Sequence, residues 1–295
     1  LKFLIPALSF EQQADQLLKR GLQADRARLI KTLRQVNYYR LSAYWHPFRQ
    51  SDESFIAGTT LEMIWRRYRF DRQLRLLVMD AIERVEVCVL RTQMVEYHAL
   101  KYGPFGYRER KNFRPDFSND NFQWMLKDID QSAKRSREVF VKDYFAKYTS
   151  EPGLPLWMAA EVASFGNLFT FFRHIHYQEQ KFLAAQLAIS AKVLENWLMC
   201  LNYVRNLCAH HSRLWNLELA IKPIVPDNDP DWLSPVPLDN RWTYAALTVL
   251  RWLLRKIAPD SLWKDRLKEL LLEYPDIPVS HAGFPDAWET SPIWK

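Results

Sequence analysis

The segment Leu201-Asn-Tyr-Val-Arg-Asn-Leu-Cys-Ala-His-His-Ser-Arg-Leu-Trp215 places Arg205, Asn206, His210 and His211 within seven residues of a helical pattern. Those side chains suffice to cut RNA through its own 2′-hydroxyl. An imidazole, with an ordinary pKa of about 6.5, can take the 2′-OH proton or return one to the leaving oxygen, typically worth about 10²–10⁴ in rate. An arginine fork can hold the phosphate in line and stabilise the extra charge on a pentacoordinate phosphorus. DNA lacks that internal nucleophile, so the chemistry predicts an RNA substrate and a 2′,3′-cyclic phosphate product. It calls for no cofactor and no metal, and none is expected.

Geometry constrains how these groups meet. At about 100° per residue, Leu194, Trp197, Leu198, Leu201, Val204 and Cys208 form one apolar stripe, and Arg205 falls inside it. An arginine cannot shed its charge, so on a core-facing stripe it needs a carboxylate, carbonyls, a ligand phosphate or a wet cleft. Glu83 or Glu86 could serve as a partner in a purely structural role. On an ideal helix Arg205 and His210 lie about 140° apart, whereas Asn206 and His210, four residues apart, share a face. Either the helix bends, or the arginine wraps round, or a second copy supplies the complementary half.

The elements that must position these residues are helical, because no alternating pattern runs long enough to compete. Ser9-Phe-Glu-Gln12 reads as a capping box opening a helix through Lys19, ended by Gly21. A second helical unit is predicted from about Asp25 to Phe48. Thr59-Thr-Leu-Glu62 caps a long helix reaching roughly Tyr102, with Gly103-Pro-Phe-Gly106 closing it. The loop Arg108-Glu-Arg-Lys-Asn-Phe-Arg-Pro115 follows, then one helix from Asn119 to about Tyr148. Short helices flank Phe165-Gly-Asn167, another runs to Ile189, and the motif helix begins near Ser190. After a proline-rich loop come helices at about Asn240 to Ile257 and Ser261 to Glu273, and the tail from Pro275 reads as irregular.

Composition narrows the classes. The chain has 295 residues, enough for one large or two modest domains, and a net charge of +7 with a pI near 9.2 that favours an acidic partner such as nucleic acid. Its Trp, Tyr and Phe are expected to pack cores first and stack on bases second. The three cysteines, Cys88, Cys200 and Cys208, suit reduced thiols in a cytoplasmic protein. The opening residues read as no signal peptide, and the apolar Tyr244–Leu254 stretch, interrupted by Arg251, is too short to span a bilayer. No membrane association is expected.

The run from Arg205 to His210 resembles the arginine-x4-6-histidine motif, commonly beginning Arg-Asn, of the HEPN superfamily of all-helical ribonucleases. Its surroundings resemble the bacterial abortive-infection branch of the AbiD/AbiF-like type. Further segments carry this likeness: Asn37-Tyr-Tyr-Arg-Leu-Ser-Ala-Tyr-Trp45, Phe70-Asp-Arg-Gln-Leu-Arg75 with Ile82-Glu-Arg-Val-Glu-Val-Cys-Val-Leu-Arg91, Leu156-Trp-Met-Ala-Ala-Glu161 with Phe165-Gly166, and Trp242-Thr-Tyr-Ala-Ala-Leu247 with Leu253-Leu-Arg-Lys-Ile257. The resemblance implies an all-α fold with an HEPN-type bundle and an additional N-terminal helical region. The divisions expected are residues 1–55, 56–274 for the HEPN-like domain, and 275–295 for the tail. It also implies a phage-defence role and a composite site formed across a homodimer. Arg205 would contact phosphate and His210 act in catalysis, with Asn206 beside them and His211 also within the spacing range. Glu86 and Arg91 match the family's Glu-x4-Arg segment and are candidate site-lining groups.

Other readings compete. Arg108, Arg110, Lys111 and Arg114 are candidate phosphate contacts, or simply a solvated basic loop. The Asn37–Trp45 stretch reads as an aromatic helix packed on the core, ahead of a base-stacking platform. His174, His176, Cys200, Cys208 and His211 match no ordinary zinc spacing. The same basic surface would suit a module that grips regulatory RNA without cutting it, and a protein-interaction role in defence is a third possibility. A toxic nuclease must be restrained, so an inhibitory small RNA or protein antitoxin is an expected partner alongside RNA.

Overall fold

The computed structural model describes residues 6–226 and 228–295. Among these residues there are helices and isolated bridges but no strand. The reciprocal Ser9–Gln12 capping box opens α1 (Phe10–Lys19). Asp25 caps α2 (Arg26–Val36). The single unit predicted from Asp25 to Phe48 is in fact broken at Asn37: its φ is 71°, and its side chain accepts from the Tyr39 N–H to start α3 (Tyr38–Trp45). With ψ at 145° this lies outside the left-handed helical region, in a conformation that L-residues rarely adopt, and the apolar periodicity does not reveal it. Leu41, Tyr44 and Trp45 are buried, so most of this aromatic helix is core; Tyr39 is the exception, at 79 % exposed.

The Thr60 hydroxyl accepts from the Met63 N–H at the head of α4 (Leu61–Val85). The helix then passes without a break into a π-helical stretch, Glu86–Met94, and on into α5 (Val95–Tyr102), which Gly103 ends. The helix expected from Asn119 to Tyr148 is two, α6 (Asn119–Arg135) and α7 (Val139–Lys147), because Ser136 is extended and its hydroxyl accepts from the Glu138 N–H. There follow α8 (Leu156–Val162), α9 (Phe165–His174), α10 (Tyr177–Gln186) and α11 (Ala191–Ala209), with Ser164 and Ser190 as side-chain caps of α9 and α11. The last α-helices are α12 (Thr243–Ile257) and α13 (Trp263–Glu273).

The residues after α13 form only short 3₁₀ turns, Val279–Ala282 and Trp288–Thr290, yet Ile293 and Trp294 are buried. The Trp294 indole donates to Thr248 Oγ1 at 3.2 Å and its ring stacks with those of Tyr244 and Trp263.

Two compact units divide the chain. One contains the sequence up to Arg75 together with Lys268–Pro278; the other contains Leu76–Leu267 and Val279–Lys295. The first has its own core, with Leu17, Leu29, Leu33, Leu41, Trp45 and Ile64 at its centre. It also buries a polar cluster in which the Tyr44 hydroxyl donates to Asp71 at 2.6 Å beside the Arg75–Asp71 ion pair. The second unit is organised round α11 and α12. Leu194, Trp197, Leu198, Leu201, Val204 and Cys208 of α11 are all buried, as is nearly every residue from Tyr244 to Leu254. No helix among the described residues is long and apolar enough to cross a membrane.

Candidate functional site

The Arg205–His211 segment straddles the end of α11. Arg205 and Asn206 are helical, His210 is the C-cap, and His211 lies beyond it at φ 59°. The Ser212 N–H donates to the Leu207 carbonyl at 2.8 Å and the His211 N–H to the Cys208 carbonyl at 3.0 Å. This is the Schellman pattern, whose left-handed position usually holds glycine and here holds a histidine. The helix stops because the chain turns left-handed there, so His211 can no longer be placed by helical periodicity.

Asn206, His210 and His211 are exposed and Arg205 is half-buried. The Arg205 guanidinium donates to Asn206 Oδ1 at 3.4 Å. Among the described residues it forms no salt bridge: Glu86, one partner considered for it, is paired with Arg91. The His210 N–H donates to the Asn206 carbonyl at 3.0 Å, which fixes the histidine one turn beyond the asparagine.

The segment that follows the motif is tied down at several points. Thr243 Oγ1 donates to the Leu214 carbonyl at 2.7 Å, and the Leu219 N–H donates to the Arg241 carbonyl at 2.7 Å. Further on, Asn196 Oδ1 accepts from the Ile224 N–H at 2.6 Å and the Trp197 indole donates to the Ile224 carbonyl at 2.8 Å. A mobile-looking sequence after the histidines is thereby fastened to the body of α11 and the head of α12. Residue identities give little hint of these pins, because they depend on where the loop returns in space.

Glu86 and Arg91 lie in the π-helical stretch. In an α-helix residues five apart diverge by about 140°, but i→i+5 bonding brings them onto one face. Arg91 Nε donates to Glu86 Oε1 at 3.1 Å, Nη1 donates to the Ala160 carbonyl, and Nη2 donates to the Ala163 carbonyl at 3.0 Å. Arg91 therefore satisfies carbonyls at the end of α8.

The cations of the basic loop also have local partners. Arg108 makes a two-pronged pair with Asp130 at 2.8 and 2.9 Å, which holds its guanidinium above the ordinary arginine range. Lys111 pairs with Glu109 at 2.6 Å and Arg114 with Asp116 at 2.5 Å, while Arg110 donates to the Pro115 carbonyl at 3.0 Å.

The sequence reading missed a buried couple in the same unit. Glu179 and His98 are both fully buried, with His98 Nδ1 3.2 Å from Glu179 Oε2, and the carboxylate also accepts from the Tyr102 hydroxyl at 2.8 Å and from Lys101 at 3.3 Å. Burial alone would push the Glu179 carboxyl up, yet His98, Tyr102 and Lys101 together hold it below the ordinary carboxylate range. Glu179 and Gln180 precede Leu183 and Ala184 at helical spacing on the buried face of α10, a signal that was available. His174 stacks on Phe117 at 3.8 Å between ring centres, with Nδ1 2.8 Å from the Thr170 carbonyl. No group of three His, Cys, Asp or Glu side chains among the described residues could hold a metal ion.

The described residues thus define an all-helical protein whose polar motif sits at an open helix end. The family model described as Abi-like protein matches residues 31–216, well over half of the chain and inclusive of the motif, and the chain belongs to that family, which supports an abortive-infection type of function. No curated protein and no solved structure matches it.

Proposed function

We propose that this chain is an endoribonuclease of abortive infection that cuts RNA through 2′-hydroxyl attack, without a metal, at the Arg205–His211 turn. The observation that carries the reading is Arg205: a guanidinium with no carboxylate partner among the described residues, beside an exposed Asn206 and an exposed His210, inside the span matched by the family. Arg205 holds the scissile phosphate, and the Asn206 amide lies beside it on the face that leads to His210. His210 exchanges the proton with the 2′-hydroxyl or the leaving oxygen. The fold assignment that goes with this reading is an HEPN-type bundle.

One copy presents a single arginine at an open helix end, so a homodimer would place two such turns about one phosphate. In the cytoplasm an enzyme of this kind requires restraint, by a small RNA or a protein antitoxin. The alternative of a non-cleaving RNA grip loses support from the Arg108–Arg114 loop, whose charges are largely met by Asp130, Glu109 and Asp116.

The test is cleavage of single-stranded RNA by purified protein in EDTA, with the ends mapped. The expected products carry 2′,3′-cyclic phosphate, and a 2′-deoxy substitution blocks cutting at that position alone. A strict need for a divalent ion overturns the mechanism. Mixing Arg205→Ala with His210→Ala subunits tests the dimer: partial recovery means that one arginine and one histidine from different copies suffice. Full activity from a species that stays monomeric removes the composite site.

A further inference from the structure

The α6 helix buries Phe122, Met125, Leu126, Ile129 and Ala133 and packs by that face on α8 and α9. Its opposite face carries Trp124, Lys127, Gln131, Lys134 and Arg135, all exposed and gathered within about 100° of one another round the axis. From Trp124 to Arg135 this face runs about 16 Å along the helix. It is a track rather than a point.

Two observations set it apart from an ordinary solvated face. The first is charge. A solvated helix face usually mixes signs, with carboxylates a turn away from the lysines. Here the flanking carboxylates are already engaged: Asp128 accepts from the Asn167 side chain, and Asp130 holds Arg108 at 2.8 and 2.9 Å. Lys127, Lys134 and Arg135 are left with no carboxylate at ion-pair distance among the described residues. Asp120 is the acid of this face, and it sits in the first turn, where a helix N-terminus favours it.

The second is Trp124. At 59 % it is the most exposed of the chain's 12 tryptophans, and no ring or cation of the described residues covers it. The helix dipole favours Lys134 and Arg135 in the last turn, but it explains neither a bare indole nor Lys127 at mid-helix. A cationic track with a flat ring at one end matches a single nucleic-acid strand, whose bases stack on aromatic faces and whose phosphates meet lysine and arginine. An anionic membrane would call for several apolar side chains on the face, and this one offers one. An acidic peptide would use the charges and leave the indole bare.

We propose that this face of α6 holds a single RNA strand, with a base stacked on Trp124, phosphates met by Lys127, Lys134 and Arg135, and the Gln131 amide between them. Stacking and phosphate contact stand on the surface alone; that the strand is RNA rests on the cleavage reading. The RNA-holding charge thereby moves from the Arg108–Arg114 loop, whose cations are largely met by Asp130, Glu109 and Asp116, to the helix that follows it.

Fluorescence anisotropy of a labelled 2′-O-methyl oligouridylate of about 12 nucleotides tests the surface. That strand has no free 2′-hydroxyl, so it stays whole whether or not the protein cuts RNA. The full chain is expected to bind it with a Kd between about 10⁻⁴ and 10⁻⁶ M at physiological salt. Trp124→Ala weakens binding by about tenfold and Trp124→Phe by much less, whereas Trp157→Ala, at the other tryptophan that is half exposed, changes nothing. Combining Lys127→Gln, Lys134→Gln and Arg135→Gln reduces the slope of log Kd against log salt by about 2, at about 0.7 for each lost phosphate contact. Lys111→Gln, in the loop, leaves the slope as it was. These side chains are exposed, so melting temperatures near the parent's show that the losses report binding. Absence of saturable binding, undiminished binding by Trp124→Ala, an unchanged slope in the triple variant, or equal affinity for polyglutamate of matched charge each overturns the proposal. Cleavage is read in its own assay: a chain that binds the strand through Trp124 and cuts no RNA overturns the cleavage reading and leaves this surface in place.

Discussion

Arg91 and Arg205 each belong to a pair of polar residues five positions apart, and the two pairs have opposite fates. Glu86 and Arg91 are brought onto one face by π-helical bonding, and the arginine is used up on a carboxylate and two carbonyls at the end of α8. Arg205 and His210 lie where α11 ends, and among the described residues the arginine donates to the side chain of its neighbour Asn206 and pairs with no carboxylate. An arginine whose donors are matched from within the protein stabilises the fold. One whose donors are left over is available to a ligand, because each unmatched N–H keeps its capacity for a charge-assisted bond.

Exchanging the two roles is the hardest test of that contrast. Arg205→Ala and His210→Ala should each lower RNA cleavage by at least about 10²-fold, the scale of a lost acid–base or charge-stabilising group. Their stability should stay within about 0.5 kcal/mol of the parent, as for surface changes that strand no partner. End-mapped cleavage assays and chemical denaturation report the two quantities side by side. Cleavage that survives both substitutions would end the site assignment.

Arg91→Ala should do the reverse. Removing it strands Glu86 and uncaps the Ala160 and Ala163 carbonyls, for an expected loss of about 3 kcal/mol in denaturation experiments. Arg91→Lys should recover only part of this, because a point charge cannot reproduce a planar fork that reaches three acceptors. If Arg91→Ala folds with parental stability yet fails to cut RNA, the two arginines are not as different as their hydrogen bonds suggest.

The buried Glu179 supplies a pH handle of smaller size. Its folded pKa lies below the ordinary value of 4.5, so its pairing stabilises the fold above that pH and loses its effect as the pH falls through the folded value. Glu179→Gln should therefore be less stable than the parent at neutral pH, and the gap should narrow in melts taken below pH 4.5. A gap that does not change with pH would mean that the carboxylate's charge is not what binds His98, Lys101 and Tyr102 together.

What could be read in the sequence followed from local rules. The Ser9–Gln12 box, the Asp25 and Ser190 caps, Gly103 and the apolar stripe of α11 all rest on neighbours within a turn or two, and each appears where composition and spacing place it. The π-helical stretch and the pins on the loop after the histidines did not, because they depend on which distant segment returns to meet them. The Glu86–Arg91 spacing was itself a clue. Five residues diverge on an α-helix and share a face on a π-helix, so a salt bridge at that spacing is favoured by the change in bonding.

The same reasoning at the motif isolates the finest distinction, between the two adjacent histidines. His211 occupies a left-handed position at φ 59°, where a Cβ is strained and glycine is not. His211→Gly should therefore be more stable than His211→Ala by about 1 kcal/mol, although both lose the same imidazole. Activity then separates the roles, independently of stability. His210 lies one turn beyond Asn206 and His211 is turned away from the helix by its backbone, so both His211 variants should keep cutting RNA while His210→Ala does not. Loss of cleavage in both His211 variants, with His210→Ala still active, would move proton transfer to His211 and make the left-handed turn a strain held for function.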